Sequence, residues 1–393
     1  RSLNSKCLCG FSSLQCCGAG VTVPFRVLTD ELLQITAQSL VRMEVAEHYE
    51  VIRELGRGKY GHVVLGASNT FSPSTGTPMA LKLLPKASTK LYTFLYEYCV
   101  ALSLATHPAI IRMFGIAIES SQYYGFLYEP ALHRDLISII KPRDGIPEPA
   151  AKHCAKQLAS ALDFIHSRGL VYRDVKPENV LLFDPECRCI KLTDFGLTRP
   201  KGTKLKLVAG VLPYTAPELS NTTDAQGLPI DTSLDAWAFG VLLFCLLTGY
   251  FPWEQSLPED PFFEDFMLWQ ETGSEADLPR HWKRLTAEAA LMLRSLLALD
   301  PAKRGPEGRK EGRLVSLCEG LTSLGPHSVP PAGWRQEALM SNPQGPHSMA
   351  PLPPGSQVAC PVSSCDPVPS PCASARPENI CCCLALTVAT SHV

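Results

Sequence analysis

The sequence predicts an α+β protein of two lobes with a cleft between them, and three observations predict it. From Tyr49 to Lys86 the apolar residues alternate in short runs, the period of strands. Beyond Asp135 they recur at helical spacing. After Arg304 both periods fade and Gly and Pro take over. Strands gathered first and helices second favour segregated packing over an alternating parallel sheet, and ligand sites favour the cleft between two such parts.

Taken in order, residues 1–27 are rich in Cys, Gly and Ser without periodicity and are expected to be loosely ordered. From Thr29 a helical pattern begins, with Leu32, Leu33, Ile35, Leu40 and Val41 as its apolar members, giving a lead-in helix within residues 28–48. Strands are expected at Tyr49–Leu55, His62–Leu65 and Met79–Leu83, with Gly- and Pro-bearing turns between them. A helix is expected over Tyr92–Leu104, then strands over Ile110–Glu119 and Tyr123–Glu129. The second portion predicts helices at Ala150–His166, Ser233–Thr248 and Ala287–Leu299. In the first of these, Cys154, Leu158, Ala161, Leu162 and Ile165 share one face. Residues 305–393 are expected to be mainly disordered, with any extended stretches polyproline-like.

Length and composition set bounds. At 393 residues and 45% hydrophobic, the chain can bury one large core or two moderate ones. A net charge of −2 provides no global attraction to nucleic acid or anionic membrane. The longest apolar run, Ala236 to Phe251, is interrupted by Gly240 and Gly249 and is too short for a comfortable bilayer span, so it reads as a buried helix. Of sixteen cysteines, only Cys99, Cys154, Cys187, Cys189 and Cys245 fall between residues 28 and 304. They are scattered through apolar stretches, which suits a reducing, intracellular compartment better than a disulfide framework. Cys7, Cys9, Cys16, Cys17 and Cys381–Cys383 lack zinc-site spacing. The chain begins at Arg1 without a signal pattern and reads as a processed chain or an incomplete gene model.

Two runs carry the chemistry. Tyr172-Arg-Asp-Val-Lys-Pro-Glu-Asn179 places the Asp174 carboxylate beside Lys176, with Asn179 a turn further on. Asp194-Phe-Gly196 follows the strand-like Cys189-Ile-Lys-Leu-Thr193. Moving a phosphoryl group from ATP to a hydroxyl needs a base to orient the hydroxyl, a lysine to offset charge on the transferring group, and oxygen ligands for Mg²⁺. Asp174, Lys176, Asn179 and Asp194 have those chemistries.

Leu55-Gly56-Arg57-Gly58-Lys59-Tyr60-Gly61-His62-Val63 has glycines whose missing side chains let backbone N–H groups approach phosphate oxygens. A dinucleotide-binding turn competes for this frame, but it needs a helix next and an acid about twenty residues on. His62–Leu65 reads as a strand and the later residue is Lys82, so a hairpin covering a nucleotide fits better. Lys82, on the strand with Ala80, is placed to reach the α- and β-phosphates. Glu97 is the only acid between Lys82 and Glu119, which makes it the candidate to hold that lysine. In Ala216-Pro-Glu218, Glu218 is expected to be buried and to need a cation, and Arg304 is the candidate partner.

With these motifs in order, the chain resembles a eukaryotic protein kinase across Tyr49–Arg304. Pro177-Glu-Asn-Val-Leu-Leu-Phe-Asp184, Pro213-Tyr-Thr-Ala-Pro-Glu218 and Leu242–Trp253 resemble the SH3-binding serine/threonine kinase family more closely. The resemblance implies a bilobal kinase fold with a small β-rich lobe and a larger helical lobe. It also implies a cytoplasmic, ATP- and Mg²⁺-dependent enzyme acting on Ser or Thr of a protein substrate. The resemblance assigns Asp174 as base and Lys176 as charge neutraliser. Asn179 and Asp194 become magnesium ligands, and Leu55–Val63, Ala80, Lys82 and Glu97 the ATP site.

The chain departs from the pattern in places. Tyr172 stands where histidine is usual before Arg-Asp. Val211 and Leu207 stand where serine/threonine kinases usually carry a threonine, the second an activating phosphorylation site. Val211 leaves a pseudokinase scaffold as the alternative reading. Gly305–Gly312 opposes the last helix that the family forms there. Pro351–Pro354 fits a P-x-x-P core for an SH3-domain partner, although no Arg or Lys flanks it, and plain disorder is the competing reading. Substrate preference stays open: Glu178 and Asp135 favour a basic residue before the acceptor, whereas Arg199, Lys201, Lys204 and Lys206 favour acidic surroundings.

Overall fold

In the computed structural model, residues 30–58, 61–68, 78–205, 213–220, 227–304 and 313–319 are described. All of them fall within one compact unit. The lead-in helix α1 spans Asp30–Gln38, shorter than the apolar spacing suggests, because Val41 leaves it for strand β1 (Val41–Arg42). After a short helix α2 (Val45–His48), strands β2 (Tyr49–Gly58), β3 (Gly61–Ser68) and β4 (Met79–Pro85) follow. Then come helix α3 (Leu91–Leu104), β5 (Met113–Glu119) and β6 (Tyr123–Tyr128). Six strands form one sheet in the order β1-β5-β6-β4-β3-β2. Its pairings are antiparallel except for β1, which lies parallel to β5.

Burial explains the layout. Tyr49, Val64, Leu81, Leu83, Ile118 and Leu127 make one core cluster of this lobe, with Met43 and Val45 packed against it. The α3 helix is stacked on the sheet through aromatic rings: Phe94 lies 5.1 Å from Tyr124, and Tyr98 lies 6.0 Å from Phe126. Ile110, expected in β5, instead makes an isolated bridge to Leu192 in the other lobe.

The helical lobe starts with a 3₁₀ turn at Leu136–Ile139, capped by Asp135, whose carboxylate accepts from Ser138 N–H. Helix α4 (Glu148–Ser167) buries the expected face, Cys154, Leu158, Ala161, Leu162 and Ile165. Short strands β7 (Leu170–Val171), β8 (Val180–Leu182), β9 (Ile190–Leu192) and β10 (Arg199–Pro200) carry the loops of interest. They precede β11 (Lys204–Leu205), helix α5 (Pro217–Ser220) and β12 (Leu228–Pro229). Helix α6 (Ser233–Thr248) matches its expected span and is buried on every side, as a helix apolar all round must be. It stops at Gly249 (φ 69°), where a Cβ would come within 2.3 Å of the Lys141 carbonyl oxygen. No helix among the described residues is long and apolar enough to cross a membrane.

Three helices complete the lobe. The first, α7 (Pro261–Thr272), begins with Pro at N1 and an Asp260 cap that accepts from Phe262 and Phe263 N–H. Next, α8 spans Ala287–Leu296, with Thr286 as cap. Finally α9 (Arg313–Glu319) lies inside the segment expected to be mainly disordered. Leu314 is buried there, and Asp163 of α4 accepts from Leu314 and Val315 N–H at 3.3 and 3.2 Å. Residues 1–29, 59–60, 69–77, 206–212, 221–226, 305–312 and 320–393 lie outside the described residues, and with them the expectations for the N-terminal segment, Lys59, Tyr60, Lys206, Leu207, Val211, Gly305–Gly312 and Pro351–Pro354.

Candidate active site

The glycine frame is the β2–β3 hairpin, with Arg57 opposite His62 and Gly58 opposite Gly61. A strand follows the glycines, which rules out the helix a dinucleotide turn requires. Two of the glycines differ in what a side chain there would meet. At Gly61 a Cβ would lie 2.3 Å from the Leu83 carbonyl oxygen, so only glycine lets β3 meet β4. At Gly56 nothing lies within 4 Å, so that face is open for a ligand to approach the backbone. Leu55 and His62 are partly buried, whereas Arg57 is exposed and forks onto Glu54 at 2.9 and 2.6 Å. Val63 pairs with Lys82 and Val64 with Leu81 across the next strand, which sets Ala80, fully buried, beneath the hairpin.

Lys82 and Glu97 meet as the sequence suggested: Nζ donates to Oε1 at 2.6 Å, and Asp194 Oδ1 lies 3.3 Å away on the other side. Burial works against charge on Lys82, but Asp194 and Glu97 outweigh it and hold its pKa above the usual lysine value. Burial pushes the Glu97 carboxyl up, against the pull of Lys82. Burial also opposes charge on Asp194, yet Lys82 and the Gly196 N–H bring its pKa below the usual range. The three groups line a small, partly open pocket together with Phe126, Tyr128 and Phe195. Gly196 is small for cause, since a Cβ there would lie 3.3 Å from Glu97 Oε2.

The second run forms a compact polar knot. Lys176 Nζ lies 2.9 Å from Asp174 Oδ1, and Asn179 Nδ2 donates to Asp174 Oδ2 at 2.7 Å and to its carbonyl at 3.0 Å. Burial lowers and Asp174 raises the Lys176 pKa, and Asp174 wins. Asp194 keeps 45% of its side chain open, so its carboxylate and the Asn179 amide oxygen offer hard oxygen donors. Arg173 and Asp194 both have positive φ, 72° and 59°, a strained region for non-glycine residues that concentrates at functional sites.

Sequence reasoning missed the group that holds this loop. Asp235, wholly buried in the first turn of α6, accepts from Tyr172 N–H at 2.8 Å and Arg173 N–H at 2.7 Å. His166 Nε2 donates to it at 2.8 Å. An acid inside an otherwise apolar run was the available signal, because a buried carboxylate needs several donors. Tyr172, where histidine is usual, sends its hydroxyl to the Thr193 carbonyl at 2.5 Å and so ties the two motif runs together.

The Glu218–Arg304 pair is present and bidentate, with both bonds at 2.6 Å. Of the basic residues set against Glu178 and Asp135, the three described ones are not equally free to meet a substrate. Lys201 is paired with Asp231 at 2.5 Å and Arg199 stacks on the Tyr96 ring at 4.6 Å, while Lys204 is exposed.

A profile described as protein kinase domain matches residues 49–306. The chain belongs to the protein kinase family. It is similar to the serine/threonine-protein kinase SBK2 of Rattus norvegicus, 57% identical over 279 residues, covering 70% of this chain and 76% of that one. Serine/threonine-protein kinase SBK1 of Danio rerio is 52% identical over 279 residues, 71% of each chain. Drosophila melanogaster meng-po, also a serine/threonine-protein kinase, is 32% identical over 267 residues, 67% of this chain and 57% of its own. Within the kinases, this places the chain in the SH3-binding serine/threonine branch. The enzyme is a serine/threonine protein kinase, and protein kinases as a family use ATP and Mg²⁺.

Proposed function

We propose that this kinase binds ATP with Mg²⁺ beneath the Gly56–Gly61 hairpin and uses Asp174 as the group that orients and deprotonates the acceptor hydroxyl. The observation that carries the reading is the run of contacts from Glu97 through Lys82 to Asp194, beside an Asp174 held by Lys176 and Asn179. Lys82, fixed by Glu97, would hold the α- and β-phosphates. The Gly56 and Gly58 backbone would cover them, and Leu55, Val63 and Ala80 would pack on the base. Asn179 and Asp194 fit the hard oxygen set that magnesium prefers. When bound, Mg²⁺ offsets charge on the β- and γ-phosphates.

Asp174 then accepts the proton of the Ser or Thr hydroxyl as its oxygen bonds to the γ-phosphorus and ADP leaves. Lys176 offsets charge on the transferred group from the same side. The free thiols of Cys99, Cys154, Cys187, Cys189 and Cys245 suit a cytoplasmic setting, and the Pro351–Pro354 run suits an SH3-domain partner. The deciding experiment is γ-phosphate transfer to a generic protein substrate by wild type and Asp194→Asn. Wild-type turnover that Asp194→Asn abolishes supports the reading. Equal, negligible transfer by both would favour the scaffold alternative.

A further inference from the structure

Helix α3 must hold Glu97 against Lys82, yet it has little local support for its position. Its N-cap residue, Lys90, makes no side-chain cap, and its ends carry no acid in the first turn and no base in the last. The local devices that fix a helix end are therefore lacking. What places α3 is packing, with the aromatic sheet face on one side and α1 on another.

Helix α1 lies before the residues matched by the kinase profile. Leu33 is 3% exposed, and Thr36, one turn on along the same face, meets Cys99 with Oγ1 and Sγ 3.5 Å apart. The Thr36 hydroxyl donates to the Leu32 carbonyl at 2.8 Å, which leaves the Cys99 thiol as donor across the seam. Cys99 sits two residues beyond Glu97. The far end of α1 is anchored to the sheet. Val41 and Arg42 pair with Ile118 and Glu119, Met43 N–H donates to the Glu119 carbonyl at 3.1 Å, and Ser121 N–H donates to Glu44 at 2.7 Å. Glu119 also joins Arg42 at 3.5 Å and Lys86, just past the strand of Lys82, at 2.8 Å.

We propose that α1 is a positioning element for phosphoryl transfer. Leu33 and Thr36 brace α3 from outside so that Glu97 reaches Lys82. This rests on the reading of Lys82 and Glu97 as the phosphate-positioning pair. Loosening the seam lets α3 move, frees Lys82, and reduces activity without touching a group that contacts ATP.

The test uses the full chain. Leu33→Ala is expected to lower kcat/KM for ATP roughly tenfold, the scale of coupling through a packed element. A second change, Thr36→Cys, places a thiol opposite Cys99, and mild oxidation then reties the seam. In the Leu33→Ala chain the crosslink is expected to restore most of the lost kcat/KM, with loss again on reduction. Thr36→Cys with Cys99→Ser is expected to give no redox response. Unchanged kcat/KM in Leu33→Ala overturns the proposal, as does a loss that the crosslink does not rescue. A purely structural role would move the melting temperature and leave the redox-reversible rate unaltered. Should Leu33→Ala fail to fold, Leu33→Val leaves a smaller cavity and takes its place with the same crosslink. Lys82→Met, run alongside, separates the two ideas. If it keeps wild-type activity, the reading of the pair fails; if it is inactive while Leu33→Ala is not, only the role of α1 fails.

Discussion

Lys82 sits between two carboxylates, the buried Glu97 and the half-open Asp194, and in the buried Lys82–Glu97 pair attraction and desolvation are both large, so neither residue acts alone. Releasing either partner of the Lys82–Glu97 pair should disable the other. Lys82→Met and Glu97→Gln are each expected to lose most activity, and the double variant little more, because residues acting as a unit are not additive. Fully additive losses in kcat/KM would show that the two work separately. Asp174 differs, since its contacts run to Lys176 and Asn179 rather than to the glycine hairpin. Asp174→Ala should therefore cut kcat by roughly 10²–10⁴-fold, the usual worth of a general base, with ATP affinity nearly intact. Wild-type turnover in that variant would remove Asp174 from the mechanism.

At the scale of elements, legibility followed whether a segment's partner could be read from its own sequence. The β2–β3–β4 hairpins and α4 announce their period, and α6 announces its burial, so their spans came out close to those found. Strand β1 has two residues and exists only because β5 offers an edge, which no local pattern encodes. Helix α7 is aromatic-rich, with Pro258 before it and Pro261 as its first residue, and its stability comes from the Asp260 cap and from Phe266 and Trp269 against Trp282. Motif residues were legible because their chemistry is unusual, whereas Asp235 was not, because its role is to satisfy backbone donors far along the chain.

The same aromatic junction between α6 and α7 contains a pH-sensitive group. His281, facing Phe244, Phe262 and the Pro252 carbonyl, has its pKa pushed down to about 4 by burial; the carbonyl and Asp260 pull it only part of the way back. Unfolding restores a value of about 6.5. Between those values the unfolded chain binds a proton that the folded chain refuses, so stability falls as pH drops from about 6.5 toward 4. At about 1.36 kcal/mol per pKa unit, the loss approaches 3 kcal/mol at the acid end. Denaturant melts of wild type and His281→Gln across that range check it, and the variant should show a flatter dependence. Parallel curves would mean that other groups govern acid sensitivity.

Across the whole molecule, the two lobes are joined at the site by contacts that need no modification in order to form. Lys82 of the sheet reaches Asp194 of the helical lobe, and Ile111 N–H donates to the Leu192 carbonyl at 3.0 Å. Arg173, the residue before the base, is the usual receiver of an activating loop phosphate in kinases of this kind. Here its guanidinium donates to the Leu197 carbonyl at 2.8 Å, and its backbone is held by Asp235. Burial, helped by the nearby Arg199 cation, brings its pKa down to about 10, and Arg199 itself is seated on Tyr96. Both arginines thus have neutral contacts that fix them in place. Leu207 and Val211 stand where threonine is usual and cannot be phosphorylated. Of the threonines between Asp194 and Leu207, Thr198 is buried and Thr203 donates its hydroxyl to the Pro200 carbonyl at 2.6 Å, while Thr215 lies directly before Ala216-Pro217. Basal activity should therefore be independent of loop phosphorylation and be set by packing around α3. Exhaustive phosphatase treatment followed by a turnover assay should leave the rate unchanged. A large loss, restored by rephosphorylation at Thr203, would mean that Arg173 and Arg199 await a phosphate and that the lobes are not fully assembled without it.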